Sequence, residues 1–383
     1  MLFTSYIELS KSALNNNICH MRKKAGPGVT YSMVVKANAY GHGIEDILPM
    51  VEKCGVDHFS VFSTEEAKKV MEVKTKNCHL MIMGFIDDDY LEWAIENEVS
   101  FFVFTPERLN AVKQIAAHTS KPARVHIELE TGMHRTGFTG KDLDYVVEVL
   151  KQNSDIIQLE GLCTHFAGAE SLNNYHRIRH QIDTFERLCH WFGERGLRPK
   201  YRHVSSSAGV LNFPEARYDL VRVGIANYGF WPNNETRMLH MKKDEISEDP
   251  LLRVLSWKSK VMSVNLVGED EYVSYGTSYL TNRNSKIATV PVGYGYGFSR
   301  NLSNMGHVLI NGKRAPVVGA VNMNMMVVDV TDLPEVCVGD EVVLIGTQNG
   351  KTITVSSFSD MNNSMNYELL TRLPPAIPRY TTD

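Results

Sequence analysis

YSMVVKANAYGHG, residues 31–43, runs an apolar stretch straight into a lysine. Tyr31, Ser32, Met33, Val34 and Val35 read as a buried strand, and Lys36 stands where that strand ends. A cation there costs free energy unless it is paired, deprotonated or used covalently. Tyr40, Gly41 and Gly43 follow at once, which marks a tight loop and a helix start. The stretch predicts a strand–loop–helix unit with a chemically employed lysine at the strand's C-terminal end.

Working outward, the same alternation repeats. Residues 10–25 read as a helix entered through Ser10. Further strand candidates are HFSVFS (58–63), HLMIMGF (79–85), SFFVFT (100–105), RVHIELE (124–130), IQLEGLCTHF (157–166), YRHVSSS (201–207) and LVRVGI (220–225). Helical stretches such as TEEAKKVMEV and NYHRIRHQIDTFERLCHWFGERG lie between them. Eight strands with intervening helices predict an α/β fold, a closed (β/α)8 TIM-like barrel. An open doubly wound sheet is the alternative.

The texture changes near residue 240. From Leu251 on the chain reads as short alternating strands: SWKSKVMSVNLV, YVSYG, SKIATVPVGY, HVLINGKRAPVVG, MMVVDV, EVVLIG and KTITVS. NG at 311–312 and GD at 339–340 are turn signals. The expectation is a barrel domain over residues 1–240 and a C-terminal mostly-β domain over 241–383, connected through 231–250.

Composition narrows the class. The chain has 383 residues, 43% hydrophobic and 22% charged, which fits an ordinary globular protein. A net charge of -4 gives no basic footprint for nucleic acid or anionic membrane. Six cysteines are scattered without a CxxC pair, so neither a disulfide framework nor a zinc site is expected, and the histidines show no metal spacing. No apolar run reaches membrane-spanning length and no signal peptide is legible. The expectation is a cytoplasmic protein without metal, nucleic-acid or membrane partners.

A barrel carries its active site at the C-terminal ends of its strands. On strand five, period-two alternation sets Val125, Ile127 and Leu129 towards the helices and His126, Glu128 and Glu130 inward, with Arg135 just beyond. Strand six brings Cys163 and His165, strand seven His203, Ser205 and Ser207, and strand eight Arg222 and Gly224. Any one of these is compatible with a satisfied polar residue in a core. Parallel strands should read as near-continuous apolar runs, so their convergence at one end points to a site. Ser207 and Gly224–Ile225 follow strands seven and eight, where barrels build phosphate sites. A buried lysine opposite a phosphate site suggests covalently held pyridoxal phosphate. A lysine-dependent aldolase acting on a sugar phosphate is the runner-up. The GYGYG run at 293–297 lacks nucleotide-loop spacing, and Met323, Met325 and Met326 read as core.

The chain resembles alanine racemases, two-domain pyridoxal-phosphate enzymes, along nearly its whole length. The resemblance rests on VVKANAYGHG, LETGMHRTGF, LEGLCTHFAGAE, VRVGIANYG, VSYGTSY, VPVGYGYG, VGAVNMNMM and MNYELLTRLPPAIPR, in that order. It implies the barrel, the β domain and a head-to-tail homodimer whose sites are shared between subunits. It implies that Lys36 carries the cofactor and that Tyr275, delivered from the other subunit, is the second base. Tyr40, Ser207, Gly224, Ile225 and Tyr367 match groups around the cofactor phosphate. Arg222 matches the partner of the pyridine nitrogen, and His165 and His203 match histidines beside the ring and that arginine. Arg135 matches the arginine at the phenolic oxygen and substrate carboxylate, and Met323 a backbone donor to that carboxylate. Tyr294 and Arg300 match substrate-entry and tyrosine-orienting positions.

The implied activity is interconversion of L- and D-alanine by proton transfer at Cα, with one base on each face. A racemase of broader amino-acid specificity is the alternative on the same scaffold. A non-catalytic pyridoxal-phosphate carrier resembles the barrel alone, and residues 251–383 argue against it. Basic amino-acid decarboxylases set a carboxylate against the pyridine nitrogen, where this chain has Arg222. Two positions depart from the family pattern: Glu128 stands where many members carry a carbamylated lysine, and Asn324 where aspartate is common.

Overall fold

The structure, a computed structural model, describes residues 3–245, 247–333, 335–355 and 366–383. The chain forms two compact units.

The larger unit comprises Ala13–Ala39 and Ile47–Leu252. Its sheet has eight strands: Thr30–Val34, His58–Val61, His79–Ile82, Ser100–Val103, Ala123–Glu128, Ile157–Cys163, Tyr201–His203 and Leu220–Val223. The first strand pairs in parallel with both the second and the eighth. The seam between the seventh and eighth is bridged by Asp219 N to Arg202 O at 3.1 Å and Arg222 N to Ser205 O at 2.9 Å. The sheet thus closes into the expected barrel. Its strands are buried on both faces, as in parallel sheets generally: Phe59, Val61, Met81, Phe101, Val103, Val125 and Ile127 are fully covered. Each such side chain contributes about 1.5–3 kcal/mol of burial.

The helices cover the outside through one apolar stripe each. Tyr175–Glu194 buries Ile178, Ile182, Phe185, Leu188 and Phe192 at helical spacing. Pro106–Ala116 starts on Pro106 with Thr105 as N-cap, whose hydroxyl accepts from Arg108 N.

All eight strands occur where the sequence puts them, but most end earlier. The first stops at Val34, and Lys36 opens the short helix Lys36–Tyr40. Ala37, Asn38, Ala39 and Tyr40 hold φ between 52 and 55°, a left-handed turn made of non-glycine residues. Such a conformation costs roughly 1–2 kcal/mol per residue, so it needs outside support. Glu66 supplies some: its carboxylate accepts from Ala37 N at 2.5 Å and from Phe62 N at 2.8 Å. The chain leaves the barrel end with Lys36 aimed by that turn rather than by a strand pleat.

The smaller unit comprises Met1–Ser12, Tyr40–Asp46 and Arg253–Asp383. The break after Leu252 corrects the boundary expected at 240. Residues 231–250 are not a bare connection: they contain the helix Asn234–Lys243, capped by Asn233, within the barrel unit. The N-terminal strand Ser5–Ser10 belongs to the β unit, not to the barrel. It pairs antiparallel with Leu255–Lys260 and parallel with Arg379–Thr382.

The predicted β strands appear, with one exception. YVSYG is a loop closed by a single bridge between Tyr272 and Leu280. The NG signal is borne out by the hairpin His307–Ile310 and Lys313–Pro316, with Asn311 and Gly312 both at positive φ. The GYGYG glycines answer a packing need. A Cβ at Gly293 would lie 2.0 Å from Asn322 O. Tyr294 N and Gly295 N donate to Asn322 O and Met323 O at 3.0 and 2.9 Å. The run is a backbone-on-backbone contact that positions residues 322–323.

All six cysteines are free. Among the described residues no helix is long and apolar enough to cross a membrane, and no cluster of metal-ligating side chains occurs.

Candidate active site

The C-terminal rim of the barrel gathers Lys36, Glu128, Arg135, His165, His203, Ser207 and Arg222. Lys36 is half-buried. Burial holds its ammonium below the usual lysine range; the charge of Arg135 adds to this, Glu66 opposes it and Arg222 adds further. A larger neutral fraction is what a lysine nucleophile or base needs.

Arg222 is buried at 4% exposure on strand eight. Its Nη1 donates to His203 Nδ1 and, at 3.0 Å, to His203 O. Its Nη2 donates to Thr164 O at 3.0 Å and Val204 O at 3.1 Å. Four of the five guanidinium hydrogens are thus held by protein acceptors, and Nε–H is the donor that keeps no partner among the described residues.

His165 is half-buried, and burial first, then Arg222, Arg135 and Lys36, push its imidazole down to about 3. His203 is fully buried and joined to His126, Nε2 to Nδ1, at 2.9 Å. His126 therefore points inward as the alternation predicts. Glu130 does not: its carboxylate accepts from Gly132 N and His134 N and braces the loop that carries Arg135. Ser205 also lies outside the site, donating to Ala216 O at 2.7 Å.

Glu128 is buried, and that burial raises its carboxyl above the usual range. A side-chain hydrogen bond with Thr136 and the charges of Arg222 and Arg135 oppose the rise. No ion pair within 4.0 Å joins Glu128 to Arg135 among the described residues. Arg135 itself is exposed, yet its charge reaches Lys36, Glu128, His165 and Arg222.

Beside them, Ser207 Oγ accepts from Gly224 N at 3.1 Å and Ala226 N at 3.4 Å. The short helices Ser207–Asn212 and Ile225–Tyr228 begin here, so backbone N–H groups gather at one spot. Such a spot favours an anion.

Gln181 escaped sequence reasoning. Fully buried on its helix, it donates to Thr131 Oγ1 at 3.1 Å and His165 O at 3.0 Å, and accepts from Ala167 N at 2.8 Å. It fixes the strand ends that carry His165 and Thr164. Glu66 and Thr136 were missed as well. Only Glu66 had a signal, as an acid in the first turn of the helix after strand two.

In the β unit, Tyr275 sits at the tip of the 273–279 loop and is 73% exposed. Ser274, at φ 70°, donates to Ala320 O at 2.7 Å, and Gly319 leaves the room: a Cβ there would meet Val273 O at 2.5 Å. Met323 and Tyr294 are exposed, and so is Arg300. No hydrogen bond joins Arg300 to Tyr275 within the chain among the described residues. Tyr40 lies on the left-handed turn. Tyr367 falls in the helix Asn366–Thr371, but its side chain lies outside the described residues.

The buried histidines have a consequence for stability. Burial drives His58 and His165 from an ordinary 6.5 to about 3 in the fold. Between those values the unfolded chain binds more protons, so stability is full above about pH 6.5 and lost as pH falls. The expected slope is up to about 1.4 kcal/mol per pH unit for each histidine. The urea midpoint should fall between pH 7 and pH 5, and fall less in His58→Gln; a midpoint indifferent to pH would contradict this.

The C-terminal rim of a closed parallel barrel thus brings together a lysine of depressed basicity, a buried donor-only cation and a cluster of backbone amides, the layout of a barrel enzyme. Comparison with known proteins makes this specific. The profile of the alanine racemase N-terminal domain matches residues 9–232, and that of the C-terminal domain residues 254–381. The alanine racemase of Leptospira interrogans is 34% identical over 381 residues, covering 100% of this chain and 96% of that protein. The crystal structure of alanine racemase from Bacillus anthracis with bound L-Ala-P superposes with a TM-score of 0.91 at 30% identity, covering 100% of this chain and 96% of that one. Alanine racemase from Bartonella henselae, with covalently bound pyridoxal phosphate, gives 0.84 at 25% identity, covering 99% and 100%. The chain belongs to the alanine racemase family.

Proposed function

We propose that this chain is a pyridoxal-phosphate-dependent racemase that interconverts L- and D-alanine by proton transfer on opposite faces of Cα. The observation that carries the reading is Arg222: a buried guanidinium with four hydrogens engaged and Nε–H to spare. That donor fits a ring nitrogen with a bare lone pair and cannot protonate it. The rest of the rim fits the same group. Lys36 would carry it covalently, and Ser207 with the Gly224 and Ile225 amides would take its phosphate. Tyr40 and Tyr367 match phosphate-side groups by resemblance alone, and His165 would lie beside the ring.

When bound, pyridoxal phosphate acidifies the Cα–H of an amino acid joined to its aldehyde carbon. The chain's own residues do the remainder. Lys36, depressed by burial and cationic neighbours, takes or returns the proton on one face. Tyr275 of the partner subunit does so on the other. Arg135 and the Met323 amide hold the substrate carboxylate. Tyr294 would stand at the substrate entry and Arg300 would orient the catalytic tyrosine. Arg222, which has no proton to give, would leave the ring nitrogen unprotonated; the weaker electron sink would shorten the life of charge at Cα and favour reprotonation over side reactions. The resemblance implies a homodimer, which the 73% exposure of Tyr275 suits, and a reducing cytoplasm suits six free cysteines.

The test is to incubate the purified protein with each L-amino acid and follow optical rotation. Rotation should decay to zero with L-alanine, and far more slowly with larger side chains. Constant rotation with every amino acid would remove the proposal, and equal decay with many would favour the broader-specificity enzyme. Glu128 enters here as a supporting residue: buried on the rim, it offsets the charges of Arg135 and Arg222. Glu128→Gln should raise the KM for alanine several-fold and lower kcat, while bicarbonate should leave the native enzyme unchanged. Native kinetics in Glu128→Gln would remove that role.

A further inference from the structure

Arginine can only donate hydrogen bonds. Its contact with His203 Nδ1 therefore makes Nδ1 the bare, accepting nitrogen. Neutral His203 must then carry its proton on Nε2. That nitrogen lies 2.9 Å from His126 Nδ1, which must accept in turn. The proton of His126 is forced onto its own Nε2, which is buried without a hydrogen-bond partner among the described residues. The chain thus ends on an orphaned N–H, a costly arrangement unless the inner bonds matter more.

The surroundings are shaped for this chain. The two imidazoles meet edge to face, centroids 4.9 Å apart at 79°. Phe102 lies against both rings and under the guanidinium of Arg222. Both histidines are fully buried, and burial holds each well below the usual histidine range. Opposite them, the pairing of strands five and six shifts register between Val125 and His126, which brings Gly161 alongside His126. A Cβ on Gly161 would lie 2.0 Å from His126 Nδ1, the very atom that accepts from His203. Gly161 is a glycine for space, since its φ is not in the positive range.

We propose that His126 and Gly161 are positioning residues for Arg222: His126 Nδ1 accepts from His203 Nε2–H, which locks His203 with its bare Nδ1 towards the guanidinium and so aims Nε–H at the ring nitrogen of the cofactor, and Gly161 leaves the space that this bond requires. The aim at the ring nitrogen rests on the function proposed above. The lock itself does not.

The test reads the two separately. In the purified holoenzyme labelled with [15N]histidine, His126 and His203 should both show the Nε2–H tautomer, with bare Nδ1 resonances. His126→Leu removes the acceptor. It should free the His203 ring from its fixed orientation, shift the absorption maximum of the bound cofactor and lower kcat by about 10-fold or more. His126→Asn, which keeps an acceptor near Nδ1, should retain the native absorption maximum and most of kcat. Gly161→Ala should behave as His126→Leu, and it keeps the question open to refutation if His126→Leu does not fold. An Nδ1–H tautomer on either native ring would overturn the lock, whatever the cofactor. Native tautomers with an unshifted maximum and unchanged kcat in both His126→Leu and Gly161→Ala would overturn the positioning role. Failure of His126→Asn to rescue would reduce His126 to a packing residue and would equally overturn it.

Discussion

Lys36→Ala is expected to give a colourless protein with no measurable racemisation, a loss of roughly 10⁴-fold or more, because one residue serves as both cofactor anchor and base. The native protein should be yellow, and borohydride should fix the cofactor on the peptide containing Lys36. The expectation follows from the turn that presents this lysine. Four consecutive left-handed residues, 37–40, lift it off the strand, and Glu66 holds the turn through the Ala37 amide. Burial, with Arg135 and Arg222, holds its ammonium below the usual lysine range, and Glu66 opposes them. Label on another peptide, or a native protein that cannot be reconstituted to colour, would refute the assignment.

Tyr275→Phe should lower the rate by about 10²–10⁴-fold, the range for a general acid–base group. The loss should be asymmetric. Exchange of the Cα hydrogen with solvent should survive for D-alanine, served by Lys36, and vanish for L-alanine. The hydroxyl is carried on a loop that Ser274 pins to Ala320 and that Gly319 allows to pass close. The proposal gives Tyr275 to the partner's site, so mixing Lys36→Ala with Tyr275→Phe chains should restore activity in heterodimers with one intact site. Equal loss of exchange for both enantiomers would leave a single base. Proven heterodimers without activity would place each site within one chain.

Much of this was legible in the sequence, for identifiable reasons. The eight barrel strands were marked by apolar runs of strand length between amphipathic helices, and the inward histidines and Glu128 by period-two alternation. The left-handed turn was not legible. Ala37, Asn38 and Ala39 carry no glycine to announce positive φ, and the support for it comes from Glu66, nearly thirty residues away. The domain boundary was misplaced because the helix Asn234–Lys243 is polar on most faces and reads as a linker. Ser5–Ser10 fell within the expected barrel domain because its pairing partners, Leu255–Lys260 and Arg379–Thr382, lie hundreds of residues on. Gln181 left no local trace at all. One polar residue on a long helix gains its meaning only when the strand ends it bonds are brought to it. Glu128, at the family's carbamylated-lysine position, forms no ion pair within 4.0 Å with Arg135 among the described residues, and burial raises its carboxyl above the usual range.

The central claim is that two bases face each other across Cα. It is tested most directly by converting L-alanine in deuterium oxide and stopping within the first small fraction of the reaction. Deuterium is then scored at Cα of the D-alanine formed and of the L-alanine that remains. With separate bases, the proton removed on one face is not the one delivered on the other. The D-alanine should therefore carry deuterium from the first turnovers, while the residual L-alanine stays largely protiated. D-alanine that retains the protium of its L-alanine precursor would show one group working both faces, and would contradict the account.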